Sequence, residues 1–319
     1  MRVLTGIRPT GKIHLGNYFG AIKPLLRFAD YADVFLFIAD LHALTDFNSL
    51  EEINKATLEL AATIFALVGN KKNVLIWQQS QVPQVAEVSY YLSSLVGHTY
   101  LQKSHAFKAA TADGKTISGA LFFYPVLMAA DILLFNADIV PIGEDQLQHL
   151  EICRDIAERA NNRFGLKLKL PEPHIVNFGK VVTGTDGRKM SKSYGNTVPI
   201  FCSPEEFRQI VFRIATDSSP LGSSLHLEKS VLYEYLLLVL PEQELESVRK
   251  DCLEGKMGWG HVKQLLVEAL VNYFGAYRKV YLELISDISL LRTLLREGSE
   301  KAKEEAENVA CQFRSLLRV

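Results

Sequence analysis

Cysteine is too sparse and too scattered in this sequence to build a framework. Four are present, with no CxxC pair and no histidine at the spacing of a zinc ligand. This argues against a structural zinc site and a disulfide scaffold, and we expect reduced, mostly buried thiols. No metal site formed by protein side chains is predicted. The four lie at Cys153, Cys202, Cys252 and Cys311.

Long apolar runs and a charge excess are also missing. No stretch reaches the roughly 18–20 apolar residues of a membrane-spanning helix, so no membrane partner is expected. The formal net charge is −1 and the pI about 6.7, without the basic excess typical of nucleic-acid-binding proteins. The first residues enter a strand-like run without the basic-then-apolar pattern of a secretion signal. A cytoplasmic protein is therefore expected.

The first third of the chain alternates β-like and helical stretches. The β-like runs are continuously apolar, as in DVFLFIA at 33–39, which is typical of strands covered on both faces. The predicted strands lie at 2–7, 33–39 and 73–78. The predicted helices lie at 16–31, 51–68 and 85–96. This order predicts an α/β fold with a doubly wound parallel sheet, whose ligand crevice lies at the carboxyl ends of the strands.

The alternation is interrupted after residue 96, resumes with a helix, a strand and a helix, and from residue 204 onward only helical periodicity remains. Residues 97–119 predict a loop-rich connection, and the glycine-rich, serine-rich segment 184–196 predicts a mobile loop. The further predicted elements are a helix at 124–135, a strand at 138–142, and helices at 145–164, 205–215, 231–240, 243–253, 261–288 and 297–317. We therefore expect an all-helical C-terminal domain. The predicted regions are an α/β domain at 1–196, a helical domain at 197–290, and a C-terminal helix at 291–319 that packs back on the α/β domain.

Residues 10–17 (TGKIHLGN) join the first predicted strand to the first helix. A turn of this kind offers unpaired backbone N–H groups and a positive helix end, both suited to phosphate. Gly16 has no Cβ, so a flat ring such as adenine can lie against its backbone. His14 and Asn17 can donate hydrogen bonds to phosphate oxygens. A glycine-rich turn with a capping histidine is the structural alternative, and this motif alone does not separate the two.

A second motif lies at 189–193 (KMSKS), between Gly187 and Gly195. Two lysines and two serines on a loop bounded by glycines predict a flexible phosphate clamp, because lysine supplies a mobile point charge. A solvated basic loop is the alternative for most KxxK pairs. This pentapeptide is far more specific than such a pair.

Together, HLGN and KMSKS resemble the HIGH-type and KMSKS motifs of the class I aminoacyl-tRNA synthetases, in the same order and with a similar separation. The resemblance implies a Rossmann-like catalytic domain that binds ATP, with Mg²⁺ carried by the nucleotide. His14, Lys189 and Lys192 would be catalytic, stabilising charge on the phosphates. The residues that would contact ATP are Arg8, Thr10, Gly11, His14, Gly16, Asn17, Gly143, Asp145, Gln146, Lys189, Met190, Ser191, Lys192 and Ser193.

Residues 124–134 (YPVLMAADILL) and 138–146 (DIVPIGEDQ) indicate which amino acid is the substrate. Asp131 is one acceptor in an apolar setting, which suits an aromatic ring with one donor, such as the indole of tryptophan. A helix N-cap or a buried ion pair is the alternative role for Asp131. These two stretches also resemble the tryptophanyl-tRNA synthetases, and that similarity extends over nearly the whole chain.

That resemblance implies activation of tryptophan with Mg-ATP to tryptophanyl-AMP and pyrophosphate, then transfer to the 2′-hydroxyl of the terminal adenosine of tRNA(Trp). It also implies a homodimer whose helical C-terminal domain recognises the anticodon. Asp131 would accept the indole N–H, while Tyr124 and Gln146 would hold the ammonium and carboxylate groups. Asp145 would contact the ribose hydroxyls. The residues that would contact tryptophan are Leu4, Gly6, His42, Tyr124, Met128, Asp131, Ile132, Val140, Ile142 and Gln146.

The sequence departs from this family pattern at three positions. Many bacterial members have an aromatic residue in place of Leu4 and a glutamine in place of Arg8. Members also carry a lysine where this chain has Ala110. The missing positive charge could come from Arg8, Lys103 or Lys115, and the sequence does not choose among them.

Three other functions fit parts of the sequence. A tyrosyl-tRNA synthetase shares the architecture but should carry a glutamine-containing variant where MAAD stands here. A nucleotidyltransferase shares the HxGH-type turn but has no use for KMSKS and a large helical domain. A non-catalytic paralogue should have lost His14 or the KMSKS lysines, and both are present.

Overall fold

A five-stranded parallel sheet forms the centre of the described structure. The computed structural model describes residues 1–45, 49–112, 114, 116–143, 146–175 and 182–317. The strands are β1 (Arg2–Ile7), β2 (Asp33–Ile38), β3 (Val74–Gln78), β4 (Ile139–Ile142) and β5 (Glu172–Ile175). Their order across the sheet is β3-β2-β1-β4-β5, with all pairings parallel. The chain thus winds outward from β1 in both directions, which confirms the predicted doubly wound, Rossmann-like α/β fold.

The helices follow the apolar periodicity of the sequence. The α-helices are α1 (Leu15–Asn17), α2 (Lys23–Phe28), α3 (Asp40–Ala43), α4 (Leu50–Val68), α5 (Gln84–Ser93), α6 (His98–Leu101), α7 (His105–Ala112), α8 (Gly119–Leu133), α9 (Leu147–Phe164), α10 (Pro204–Phe212), α11 (Val231–Val239), α12 (Glu242–Leu253), α13 (Trp259–Ser286) and α14 (Ile288–Ser315). Helix α4 shows the local rules, since the Ser49 hydroxyl accepts from the N–H groups of Glu51 and Glu52 and the helix ends at Gly69. No helix in the described part of the chain is long and apolar enough to cross a membrane.

The chain divides into two compact units. The sheet unit consists of Met1–Gly11, Leu25–Asn177 and Asp287–Val319, and the helical unit of Lys12–Pro24 and Phe178–Ser286. Packing therefore groups residues 12–24 and 178–196 with the C-terminal helices rather than with the sheet. These limits differ from the predicted regions, whose functional assignment remains a prediction.

Helix α14 returns to the sheet unit from the far end of the sequence. It packs along β3, α4 and α5. Gly298 allows the close approach, because a Cβ at that position would lie 1.8 Å from the carbonyl oxygen of Ile76. The neighbouring Ser299 hydroxyl accepts a 3.3 Å hydrogen bond from the backbone N–H of Gln78. The last strand residue before the predicted ligand edge is therefore held by the C-terminal helix.

Three parts of the secondary structure differ from the prediction. The segment 97–119 is not mainly loop, since it contains α6 and α7. Strand β5 was not predicted, because its residues EPHI are all exposed and carry no apolar run; it forms through pairing with β4. The last two helices are separated by Asp287 alone, whose carboxylate accepts from the N–H of Leu290 and starts α14.

Candidate active site

Asp131 lies at the centre of a buried polar network in the sheet unit. It belongs to α8 and is 1% exposed. The Gln79 side-chain amide donates to both carboxylate oxygens, at 2.9 Å and 2.7 Å. His42 Nε2 lies 3.0 Å from Oδ2. The setting is more polar than predicted, because Gln79 contacts the carboxylate in addition to His42, which was predicted at this site.

Gln79 is held as firmly as the carboxylate that it contacts. It is fully buried, and its Oε1 accepts from the backbone N–H groups of Leu41 at 3.0 Å and His42 at 3.4 Å. Because this oxygen faces two donors, the amide NH₂ must face Asp131. Gln79 directly follows β3, so the network joins the ends of two strands to α8. Sequence reasoning missed this residue.

Burial raises the pKa of Asp131, while the hydrogen bonds from His42 and Gln79 act in the opposite direction. Each carboxylate oxygen can accept two hydrogen bonds. Oδ2 accepts a hydrogen bond from the Gln79 amide and also lies beside His42 Nε2. At Oδ1, one hydrogen bond is described, and it comes from the Gln79 amide. Asp131 therefore retains acceptor capacity for one more N–H.

Five of the side chains predicted to contact the indole belong to the apolar core of the same unit. They belong to one apolar cluster of the sheet unit, drawn from β1, β4 and α8. On β2, Phe37 is 5% exposed and faces Gly6, where a Cβ would lie 2.4 Å from the Phe37 ring. Gly6 thus leaves room for an aromatic ring of the core. The clustered predicted residues are Leu4, Met128, Ile132, Val140 and Ile142.

A second hydrogen-bonded chain connects Tyr124, His149 and Gln146. The Tyr124 hydroxyl is bonded to His149 Nε2, and His149 Nδ1 lies 2.9 Å from Gln146 Oε1. The Tyr124 ring also meets the His42 ring edge-on, with centroids 6.3 Å apart. Burial raises the pKa of Tyr124 to about 12, against the opposing effect of the positive charge on Arg8. Tyr124 is therefore a neighbour of His42 and is linked to Gln146 by a histidine that sequence reasoning missed.

Arg8 and Ala110 occupy different environments. Arg8 is exposed after β1, and its charge acts on Tyr124. Ala110 is 6% exposed within α7. A lysine at position 110 would place its stem among buried groups, so substitution there is a poor test of whether Arg8 supplies a missing charge. Lys103 is exposed in this unit, and Lys115 lies outside the described residues.

The remaining predicted ATP contacts of this unit lie at strand ends. Gly143 is buried directly after β4, whereas Asp145 lies outside the described residues. Thr10 donates its backbone N–H to the carbonyl of Arg8 at 2.9 Å. Gly11 has a φ of +95°, a conformation that side chains disfavour and glycine adopts readily. The turn after β1 therefore depends on glycine at position 11.

In the helical unit, His14 both caps a helix and retains a donor. Its Nδ1 accepts from the backbone N–H of Asn17, while Asn17 Oδ1 accepts from the backbone N–H of His14, each at 3.3 Å. This reciprocal cap starts α1, which lasts three residues before a π-helical turn at Tyr18–Ile22. The helix predicted at 16–31 is therefore present over 15–28, with a π-helical turn inside it. Because the cap uses Nδ1 as an acceptor, the neutral ring carries its proton on Nε2.

Burial, aided by the charge of Lys192, lowers the pKa of His14 to about 4. His14 is therefore a neutral hydrogen-bond donor at neutral pH. The capping alternative and the phosphate-binding prediction are compatible, since they use opposite nitrogens of the ring.

The two sequence motifs meet within the helical unit. The backbone N–H of Gly16 lies 3.4 Å from the Met190 sulfur, and Met190 is 5% exposed. A Cβ at Gly16 would lie 3.1 Å from the His14 ring. Lys189 and Lys192 are exposed on either side of the buried methionine. The KMSKS segment thus anchors its methionine against the first motif and presents its lysines to solvent.

The side-chain amide of Asn196 is hydrogen-bonded to the backbone of the KMSKS segment. It is 2% exposed, and its Oδ1 accepts from the N–H of Ser191 at 2.8 Å. Its Nδ2 donates to Asp186 Oδ1 at 2.7 Å and to the carbonyl of Lys189 at 3.1 Å. At Gly184 a Cβ would lie 2.2 Å from this amide. Within the KMSKS segment, the hydroxyls of Ser191 and Ser193 are hydrogen-bonded to each other at 2.8 Å.

Comparison with known proteins shows the family of the chain. The model of the class I tRNA synthetases (W and Y) matches residues 1–275. The chain belongs to this family. It is 39% identical to the tryptophan–tRNA ligase of Rhodopirellula baltica, over 98% of both chains. The solved tryptophanyl-tRNA synthetase of Campylobacter jejuni, complexed with ADP and tryptophan, is 39% identical, covers 99% of this chain and 98% of its own, and superposes with a TM-score of 0.93.

Three residues of these hydrogen-bonded networks escaped the sequence analysis, namely Gln79, His149 and Asn196. Gln79 follows a parallel strand, so the rule that ligand groups gather at carboxyl strand ends could have found it. Asn196 lies three residues after the end of the KMSKS motif. His149 lies one helical turn after Gln146, on the face expected to turn inward. Each had a positional signal, but none belongs to a motif with an obvious chemical role.

Proposed function

We propose that the chain is a tryptophan–tRNA ligase. It activates tryptophan with ATP to tryptophanyl-AMP and pyrophosphate, then transfers the tryptophanyl group to the terminal adenosine of tRNA(Trp). The observation that carries the proposal is the buried Asp131 acceptor among aromatic and aliphatic side chains. The full-length similarity to tryptophan–tRNA ligases supports it.

In the first step, a tryptophan carboxylate oxygen attacks the α-phosphorus of ATP, and the bond from that phosphorus to the pyrophosphate leaving group breaks. The nucleophile is already ionised, so no general base is needed. His14 donates from Nε2, while Lys189 and Lys192 supply charge as the phosphate inverts. Mg²⁺ enters with ATP. The support for these roles is the neutral donor state of His14 and the exposed lysines beside it.

Tryptophan is held in the sheet unit. Asp131 Oδ1 accepts the indole N–H, and Tyr124 and Gln146 bind the ammonium and carboxylate groups. Arg8, beside Tyr124, contacts the reacting carboxylate or phosphate. Gly143 and Asp145 contact the adenosine. The support for this arrangement is that His42 contacts both Asp131 and the Tyr124 ring, and that Tyr124 is connected through His149 to Gln146.

The helical C-terminal domain recognises the anticodon, and the chain works as a homodimer with tRNA(Trp) as its second substrate. These assignments rest on membership of the family. Gel filtration with light scattering and a tRNA filter-binding assay test them directly.

Tyrosine activation is the second candidate, because the matching family model covers both amino acids. Exchange of pyrophosphate into ATP, measured with tryptophan and tyrosine side by side, separates the two. We expect exchange with tryptophan to exceed that with tyrosine by about 10⁴-fold, since a phenol places its O–H donor elsewhere than the indole N–H, which leaves the acceptor unpaired or creates a steric misfit. Equal or greater exchange with tyrosine would overturn the proposal.

A further inference from the structure

We propose that His149 is a positioning residue that makes the Tyr124 hydroxyl oxygen a pure acceptor toward the substrate's ammonium group. The proposal rests on the proposed function and specifies how the same site distinguishes the two charged ends of its amino acid. Its basis is the directed chain of hydrogen bonds through Tyr124, His149 and Gln146.

The direction of the chain is set at its Gln146 end. His149 lies on α9, is 5% exposed and has a polar partner at each ring nitrogen. The amide oxygen of Gln146 can only accept, so Nδ1 of His149 carries a proton and donates it. In the neutral ring Nε2 then holds a lone pair, and the Tyr124 hydroxyl donates to it. Burial of the Tyr124 phenol raises its pKa to about 12, so this proton is present at neutral pH.

The consequence is a one-sided recognition group. A phenol has one proton, and Tyr124 has already given its proton to His149. The remaining lone pairs of Oη attract a donor-only ammonium and repel a carboxylate. A protonated His149 would reverse this, because Nε2–H would donate to Tyr124 and free the phenol proton for a carboxylate. The two directions therefore predict opposite ligand preferences.

Two tryptophan analogues separate these directions. Tryptamine keeps the ammonium group and lacks the carboxylate, and indole-3-propionate has the reverse. Calorimetric titration of the whole chain gives the dissociation constant of each. In Tyr124→Phe and His149→Phe we expect tryptamine to bind about tenfold more weakly, as for one hydrogen bond to a charged group. Indole-3-propionate should change less than threefold.

Coupling and rescue complete the test. The double variant should lose no more than about twofold beyond Tyr124→Phe, because the two residues share one task. His149→Gln places an amide near the former Nε2 position and should recover part of the tryptamine affinity. Tyr100→Phe removes another buried phenol bond, to Asp155, and serves as the control with unchanged analogue binding. Thermal unfolding of every variant identifies any loss of folding.

Three results would overturn the proposal: equal weakening of both analogues, weakening of indole-3-propionate alone, or additive losses in the double variant. Should His149→Phe fail to fold, Tyr124→Phe and His149→Gln still give the two ligand preferences. Failure of the proposed function has a separate readout, namely a wild-type chain that does not exchange pyrophosphate with tryptophan.

Discussion

Asp131 is more constrained than an isolated acceptor would be. The Gln79 amide donates to both oxygens of the Asp131 carboxylate. The Gln79 side chain is itself held by the backbone N–H groups of Leu41 and His42. The carboxylate is therefore pre-oriented before any ligand arrives, which lowers the entropy lost on binding. The same contacts mean that truncating Asp131 would also leave the Gln79 amide unpaired in a buried position.

For this reason Asp131→Asn is a better test than a truncation to alanine. Asparagine keeps one acceptor for Gln79 and replaces the other oxygen by a donor. We expect the transition-state stabilisation given by kcat/KM for tryptophan in pyrophosphate exchange to fall by roughly 1.5–3 kcal/mol. KM for ATP should be nearly unchanged. Near-normal tryptophan use by the folded variant would rule out Asp131 as the indole acceptor.

Lys192 should act mainly in the transition state. We expect Lys192→Ala to slow single-turnover adenylate formation by on the order of 10²-fold, with tryptophan affinity nearly intact. Rapid-quench kinetics provide the measurement, and Lys229→Ala, an exposed lysine of the same unit, is the matched control. A raised KM for ATP at unchanged kcat would contradict a role in stabilising the reacting phosphate.

His14 should titrate far below an ordinary histidine. Its pKa is lowered to about 4, first by burial and second by Lys192. The neutral ring thus contributes stability that is present above pH 6.5 and is lost as the pH falls toward 4. NMR titration of labelled histidines, assigned with His14→Asn, measures this pKa, and Lys192→Ala should raise it only partly. A wild-type pKa near 6.5 would contradict the buried, capping geometry.

At the scale of elements, the KMSKS segment differs from a loose loop. Asn196 connects Asp186 to the backbone of Lys189 and Ser191, and Met190 is buried against Gly16. Flexibility was predicted from glycine and serine content. These contacts give the backbone between the lysines defined partners, so we expect the positions of the lysines to depend on a buried amide.

Variants of Asn196 and Asp186 test whether the positions of the KMSKS lysines depend on the hydrogen bonds of the Asn196 amide. Asn196→Asp retains the acceptor for Ser191 but places a second carboxylate beside Asp186. We expect adenylate formation to slow by about tenfold or more, with the dissociation constant of tryptophan unchanged. Adding Asp186→Asn restores a donor–acceptor pair and should recover part of the rate. Wild-type kinetics in folded Asn196→Asp would show that the scaffold does not position the lysines.

At the scale of the whole molecule, each compact unit is assembled from distant parts of the sequence. The sheet unit takes its last helix from Asp287–Val319, and the helical unit takes its first motif from Lys12–Pro24. Helix α14 contacts β3, and the Gln79 amide follows directly after that strand. The C-terminal segment thus supports the strand that carries part of the proposed tryptophan site.

Gly298 is the position where this support is most sensitive. Gly298→Ala would force α14 away from the carbonyl of Ile76, and we expect it to lower the free energy of unfolding by about 1–3 kcal/mol. Gly275→Ala on α13 is the control, because a Cβ there meets nothing within 4 Å; it should be neutral or stabilising by up to about 1 kcal/mol. Urea unfolding measures both. Equal stability of the two variants would contradict the close packing of α14.

The parallel, doubly wound sheet and the two motifs were readable from the sequence, because alternating apolar runs and short motifs are local properties. The same reasoning predicted Asp131, His14 and the KMSKS lysines. It failed for α6, α7 and β5, whose residues carry weak local signals.

Tertiary structure alone decided which groups share a hydrogen bond. Gln79 and Asp131 are 52 residues apart, and Tyr124 and His149 are 25 apart. Their pairing depends on how α8 and α9 pack beside the sheet, since a side chain's partner is set by neighbours in space. The lowered pKa of His14 likewise comes from burial and from a lysine far along the chain. A residue's type specifies what it can donate or accept, and packing determines what it meets.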